Sequence, residues 1–417
     1  MSHSSNKKGC PDCGPTPVPH LLIWWSGVID WVIGPYTRFL DRIWKWLKPK
    51  LAKLPWDRIA FRSMYIAQSL GLGKVVTELR DDHSLRTRAL WEEAKRRGVE
   101  IFEFRPFGRS VELMVARYKG NLFAFDGLPR PKGQLSPGLE WMDDKTIMRQ
   151  RMAKEGIPVA RGGTATLVKK ALEIFDEVGP PLIVKPRFGS RSRHTTMHIQ
   201  TRSELVKAFY SAQKLSPWVV IEQELQGPVF RATVIDGKLI GVAQRDVPNV
   251  IGDGKNTVGE LVTQTNTNPR RHGNDIYTTL PSEAESKDEL VRQGHSWISV
   301  PKAGEQVFLA QKVNRGLGGV THEVTDITHP DNKKLFEKIA QVVGDPIIGI
   351  DFIARSIDKS WQDQAACGLI ECNSLPFIDL HHYPISGTPR NAAGAVWNLI
   401  WDQLAPGQQL PVDKVAA

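Results

Sequence analysis

The spacing of apolar positions changes several times along the chain, and each change marks a new element. Tyr36, Phe39, Leu40, Ile43, Leu47, Leu51 and Leu54 recur at three- and four-residue steps, with Arg38, Arg42, Lys45, Lys48 and Lys53 largely between them. That period predicts an amphipathic helix, kinked or restarted at Pro49. Helical patterning returns over 85–97 and stops at Gly98. Residues 99–104 then read as a strand, with 112–117 and 121–125 as two more around the turn at Lys119-Gly120. The Pro/Gly-rich stretch 128–138 reads as a linker. Residues 143–155 predict a helix closed by Gly156 and Pro158. Strands and helices then interleave. Residues 181–186 form a buried strand, 203–211 a helix and 218–224 a strand, and 229–235 with 238–244 form a hairpin about Asp236-Gly237. The polar stretch 263–296 gives no strand signal. Residues 347–353 and 368–372 predict an antiparallel pair. No repeat of roughly 20–50 residues and no sustained heptad is visible.

A length of 417 residues implies two or three domains. With 41% hydrophobic and 24% charged residues, the chain is neither disordered, collagen-like nor a small disulfide scaffold. The net charge of +10 is uneven. Residues 1–62 hold ten Lys/Arg against four Asp and so carry +6 of it. Six of the thirteen tryptophans, at 24, 25, 31, 44, 46 and 56, lie in the same arm. An apolar face, a cationic flank and interfacial Trp suit a helix on an anionic membrane surface, through residues 20–54. The other reading is that it packs on its own body or a second subunit. Residues 21–33 contain Asp30 and fall short of the ~20 needed to span a bilayer, and no signal-cleavage pattern follows. The expected location is therefore cytoplasmic, peripheral to a membrane at most. The arm carries no nucleic-acid module and its tryptophans sit among aliphatics, so nucleic acid is not an expected partner.

Four cysteines make no disulfide framework. Cys367 and Cys372 flank an apolar run as small hydrophobes. Cys10 and Cys13 form a CxxC, but a structural zinc takes four ligands and no second pair is near. His3 and His20 are the donors that could be enlisted. The simpler expectation is a flexible tail with two exposed thiols in a reducing compartment.

Candidate chemistry concentrates near the C-terminal end. Glu371 and Asn373 are two apart on a strand and so point the same way. Asp351 interrupts the apolar run IIGIDFI, where a carboxylate is costly unless neutralised. Three oxygen donors from two adjacent strands suit Mg²⁺. Lys185 ends the strand LIVK and leads into RFGSRSRHTT, a placement that suits a phosphate chain. In VVIEQELQG (219–227) a strand leaves backbone groups beside a turn, a way to read an adenine edge.

In this order the features resemble the ATP-grasp superfamily, and more closely the ATP-grasp portion of cyanophycin synthetase and of the bifunctional glutathione synthetases. The resemblance is carried by DDKTIMRQRMAKEGIPVARG (143–162), IVKP (183–186), IEQELQG (221–227), VIGDGKNTVGELV (250–262), NRGLGGVTHEVTDITHPDN (314–332), GIDF (349–352), ECN (371–373) and HHYPISGTPRN (381–391). It implies an α+β chain. A helical arm (1–60) and a small α/β domain (61–140) would precede an ATP-grasp domain (141–410), whose two lobes, 141–235 and 236–410, clasp ATP. The implied reaction joins the carboxylate of an amino acid or peptide to an amine through an acyl phosphate, using ATP and Mg²⁺, with Mn²⁺ as an alternative ion. The resemblance also implies a homo-oligomer.

By family position, Lys145, Lys185, Ser190 and Arg193 would hold the nucleotide phosphates. Glu222 and the backbone near Leu225 would meet adenine, and Asp351, Glu371 and Asn373 would hold Mg²⁺. Arg245, Lys312 and Asn314 would serve catalysis, while Arg231, Gly318, Gly319, His381 and Arg390 would face substrate. Three positions depart from the pattern. Ser192 and His194 replace phosphate-loop glycines, with Arg191 and Arg193 as substitute charges. Val229 stands where an acidic residue binds ribose. Ala310 replaces an arginine, leaving Lys312 or Arg315 to substitute. These departures motivate the alternative of a catalytically weak or inactive ATP-grasp protein docked by its arm.

Overall fold

The computed structural model describes residues 54–131, 139–142, 144–188, 193–271, 276–311, 313 and 318–410, together with 10, 19–21 and 23–25. Apart from Leu54, the amphipathic segment 36–54 lies outside these residues. Cys13 and His3 do as well. The chain divides into two compact units. The first contains residues 1–54, 137–226 and 365–372, and the second 55–136, 227–364 and 373–417. Among the described residues no helix is long and apolar enough to cross a membrane.

The second unit opens with α1 (Trp56–Ser69), β1 (Gly73–Val76), α2 (Leu85–Arg96), β2 (Glu100–Pro106), β3 (Leu113–Tyr118) and β4 (Asn121–Asp126). The strands form one antiparallel sheet in sequence order. Ser84 starts α2 by accepting the Thr87 N–H at 3.1 Å, and Gly98 releases the chain with φ +72°.

The first unit follows with α3 (Lys145–Lys154), β5 (Gly162–Ala165), α4 (Val168–Val178), β6 (Leu182–Pro186), β7 (Thr196–Ile199), α5 (Arg202–Gln213) and β8 (Val219–Gln223). Its sheet runs β5-β8-β6-β7, antiparallel throughout. Alternation decides its two faces. Leu182, Val184, Val219 and Ile221 join Ile174, Leu205 and Phe209 of α4 and α5 in one core cluster. Lys185 and Glu222 fall on the face away from Val184 and Ile221.

The second unit resumes with β9 (Val229–Ile235), β10 (Lys238–Asp246), β11 (Asn249–Ile251), α6 (Val258–Asn266), α7 (Glu283–Arg292), β12 (Gln306–Phe308), β13 (Val320–Glu323), α8 (Pro330–Val343) and β14 (Ile347–Ile353). The chain ends with β15 (Gly368–Asn373), α9 (Asp379–His382) and α10 (Ala392–Leu404). The polar stretch 263–296 holds a helix, α7, that hydrophobic spacing does not announce. Its start is a capping box in which Glu285 accepts the Ser282 N–H at 2.9 Å and hydroxyl at 2.7 Å. Helix α10 seats against α2, where fully buried Trp397 donates its indole N–H to the Leu90 carbonyl at 3.0 Å. Burying each such aromatic stabilises the unit by on the order of 3 kcal/mol.

Strands β13, β10, β9 and β14 lie side by side and antiparallel. Register sets two rows across them. In one, Gly241 faces Thr233 and Thr233 faces Gly349; in the next, Ala243 faces Arg231 and Arg231 faces Asp351. Gly241 in the first row leaves room for His381, which is fully buried. Its Nδ1 lies 2.8 Å from Glu323 Oε2 and its Nε2 lies 2.8 Å from the Thr233 hydroxyl. A Cβ at Gly241 would stand 2.6 Å from His381 Nδ1.

Gly241→Ala should therefore destabilise the protein by about 1–3 kcal/mol through overpacking, measured by urea unfolding. A change under about 0.5 kcal/mol would mean that the His381 ring has room to move aside. His382 carries a second prediction. Its Nε2 accepts the Ala393 N–H at 2.9 Å, at the start of α10. Burial, with His381 beside it, brings its pKa from the usual 6.5 down to about 4. Between those values the folded ring is neutral and the unfolded ring protonated, so unfolding takes up a proton and stability is lost as pH falls from 6.5 toward 4. Unfolding free energies of wild type and His382→Gln should differ in slope across that window by about 1.4 kcal/mol per pH unit. Parallel curves would contradict the assignment.

Candidate active site

Two groups of predicted site residues are each brought together within a unit. In the first unit, Lys185 on β6 reaches Glu222 on β8 at 2.5 Å. Arg149, four residues after Lys145 on α3, approaches the other Glu222 oxygen at 3.5 Å. Glu222 is 5% exposed. It thus stands between two cations, and any adenine N–H it accepts shares a carboxylate already serving Lys185. The Lys145 ammonium lies 3.4 Å from the Arg187 carbonyl. Asp144 both caps α3, accepting the N–H of Thr146 and Ile147, and holds the Arg187 guanidinium at 2.6 Å. Lys145, Lys185 and Arg187 therefore belong to one cation-rich region with its acids interleaved. Leu225 is half-buried two residues past β8, and Arg193 is half-buried. Ser190 lies outside the described residues.

In the second unit, Asp351 is 5% exposed on β14. Directly opposite on β9, Arg231 grips it with two N–H groups, Nε on Oδ1 and Nη2 on Oδ2, the latter at 2.8 Å. Arg245 on β10 adds a contact to Oδ2 at 3.4 Å. The register places Arg231 opposite Asp351 and Ala243 opposite Arg231, and Arg245 is two residues on from Ala243. All three charged side chains thus share a face. This answers the cost of a carboxylate in an apolar strand. Of the other metal candidates, Asn373 is half-buried in the second unit and Glu371 half-buried in the first, with buried Cys372 between them on β15. That is the alternation expected of a strand.

Two carboxylates and an amide are hard oxygen donors of the kind Mg²⁺ takes. The donor set fits that ion.

Gly318 and Gly319 are buried immediately before β13. Gly318 has φ +87°, and its carbonyl accepts Arg271 Nη1 at 3.0 Å. Arg271 also donates to the Thr278 carbonyl at 2.8 Å. Arg390 pairs with Asp326 at 2.5 Å and donates its backbone N–H to the His381 carbonyl at 2.8 Å. Lys312 and Asn314 lie outside the described residues.

Both ring nitrogens of His381 are engaged by Glu323 and Thr233 in a fully buried setting, so its side chain braces the sheet. Several residues were missed by sequence reasoning. Arg149 was legible from its four-residue spacing after Lys145 on one helix. Arg187 was legible from its place beside Lys185. Arg271, Glu323 and Thr233 carry no local signal, because their roles depend on which strand lies alongside.

No protein-family model matches the chain. Cyanophycin synthetase of a Nostoc strain is 32% identical over 281 residues, covering 67% of this chain and 31% of that protein. The bifunctional glutathione biosynthesis protein of Mannheimia succiniciproducens is 28% identical over 340 residues, covering 78% of this chain and 43% of that protein. The chain thus spans only 31% and 43% of the length of these two relatives. A bifunctional glutathione synthetase structure from Pasteurella multocida superposes with TM-score 0.58 at 22% identity, over 77% of this chain and 44% of that one. The mixed helices and antiparallel sheets are the α+β architecture expected from the sequence words. The chain has the ATP-grasp fold and is a homologue of the cyanophycin synthetases and the bifunctional glutathione synthetases.

Proposed function

We propose that this chain is an ATP- and Mg²⁺-dependent ligase that joins the carboxylate of an amino acid or short peptide to an amine. ATP phosphorylates the carboxylate, and the amine attacks the acyl phosphate with release of inorganic phosphate. The observation that carries this reading is the Arg231–Asp351–Arg245 cluster on one sheet face. Phosphoryl transfer leaves little covalent work for a protein and depends on positioning and fixed charge. Arg231 is held in a two-point grip and Arg245 rests against the same carboxylate, so both guanidinium groups are oriented before any ligand arrives. Lys185, set by Glu222, and Lys145, beside the Arg187 carbonyl, would hold phosphate oxygens as compact charges. Asp351, Glu371 and Asn373 would hold Mg²⁺, which when bound neutralises phosphate charge.

Gly318 and Gly319 would present backbone N–H groups near the activated carboxylate, with Arg271 fixing the Gly318 carbonyl from behind. Arg390, oriented by Asp326, is the described residue proposed to grip a substrate carboxylate.

The test is ADP release by the purified chain with Mg²⁺ and ATP against pools of amino acids and dipeptides. The expected result is release that depends on an acceptor and falls at least ~100-fold, about 2.7 kcal/mol of barrier, in both Asp351→Asn and Glu371→Gln. Circular dichroism would confirm that both variants fold. Turnover undiminished in either variant would remove that residue from the metal set. ATP binding without turnover across all pools would instead favour a binding protein.

A further inference from the structure

Among the described residues, one cluster of metal-ligating side chains lies apart from the groups discussed above and does not depend on the proposed ligase reading. Cys10, His20 and His194, all of the first unit, bring a thiol and two imidazole nitrogens within 4.8 Å of one another. Cys10 Sγ stands 3.8 Å from His194 Nε2, and His20 Nε2 stands 3.2 Å from that same nitrogen. Tetrahedral zinc, with Zn–S about 2.3 Å and Zn–N about 2.0 Å, separates a sulfur and a nitrogen ligand by about 3.5 Å and two nitrogen ligands by about 3.3 Å. The two distances to His194 Nε2 lie within about 0.3 Å of that geometry, and the Cys10 and His20 donors lie within 4.8 Å of each other.

The outer contacts also suit a metal. His194 is 2% exposed, and its Nδ1 lies 2.8 Å from the Ser211 carbonyl. A carbonyl only accepts, so Nδ1 carries the proton, and in the neutral ring that tautomer leaves the Nε2 lone pair facing His20 and Cys10. A fixed tautomer backed by a carbonyl is the arrangement that orients metal-binding histidines. The two rings meet edge to face, with centroids 4.8 Å apart. His194 adopts φ +51°, a costly conformation for a residue with a Cβ. Cys10 is half-buried, not the exposed tail thiol expected from sequence.

We propose that Cys10, His20 and His194 form a zinc site. The donor set is one thiolate and two imidazoles with no oxygen, which selects Zn²⁺ over Mg²⁺. Water or a further donor takes the fourth position. Because Cys10 is 184 residues from His194 in sequence, the ion would staple the N-terminal segment to the residue that leaves the phosphate-loop words. The site would then tie the start of the chain to the segment proposed to hold ATP phosphates.

The experiment titrates Co²⁺ into metal-depleted full-length protein and follows the visible spectrum. The expected result is one equivalent bound per chain, with tetrahedral d–d bands and a thiolate-to-cobalt charge-transfer band, both displaced by Zn²⁺. An all-oxygen Mg²⁺-type site gives no such charge-transfer band. Cys10→Ser should abolish that band, and His20→Asn should weaken binding at least ~10-fold. Both changes lie on the N-terminal segment, and circular dichroism checks that the body still folds. Absence of stoichiometric binding at micromolar Co²⁺ would overturn the proposal. So would spectra unchanged in both variants.

Discussion

Asp351 is a carboxylate in the middle of the strand IIGIDFI, and the organisation of the second unit's sheet follows from how that charge is met. Desolvating an unpaired carboxylate costs several kcal/mol, more than a single strand can supply. The sheet answers with register. Strand β9 lies antiparallel to β14 so that Arg231 falls opposite Asp351, and β10 brings Arg245 onto the same face. A shift by one residue would send Arg231 to the other face and leave the carboxylate alone. Gly241 in the next row leaves room for His381, which bonds Thr233 and Glu323. The pair thus penalises alternative registers in all four strands.

The same device recurs in the first unit on a smaller scale. Lys185 and Arg149 share Glu222, and Asp144 holds Arg187 while capping α3. Each cation proposed to meet phosphate has a carboxylate or carbonyl that fixes its direction in advance. Fixed charge of this kind is what phosphoryl transfer asks of a protein, because little reorganisation remains when the substrate arrives.

Much of this was legible in the sequence where the signal was local. The Asp236-Gly237 hairpin, the Gly98 helix stop, the alternation of Glu371 and Asn373 around Cys372, and the odd placement of Asp351 each follow from spacing over a few residues. Helix α7 was missed because its evidence is a capping box, Ser282 with Glu285, in place of an apolar stripe. A motif word gives no depth, so only the sheet shows that both nitrogens of His381 are engaged by Glu323 and Thr233. Arg231 drew attention by family position, but its partner is 120 residues away in sequence. No periodicity connects the two, and a register between strands so distant is decided by the whole sheet. The Cys10–His20–His194 cluster has the same character, since His194 reads from sequence only as a departure from a glycine pattern.

The most direct measurement is a double-mutant cycle on Arg231 and Asp351, using Arg231→Met, Asp351→Leu and the double variant, with unfolding free energy read from urea denaturation. Arg231→Met leaves Asp351 without its two-point partner, with Arg245 at 3.4 Å, and Asp351→Leu leaves the Arg231 guanidinium without its carboxylate; each should cost about 3–5 kcal/mol, whereas the double removes both charges. The double variant should be more stable than the sum of the singles by about 3 kcal/mol. Costs that add to within about 0.5 kcal/mol would show that the two charges do not sustain each other. The sheet's register would then have to be held by something else.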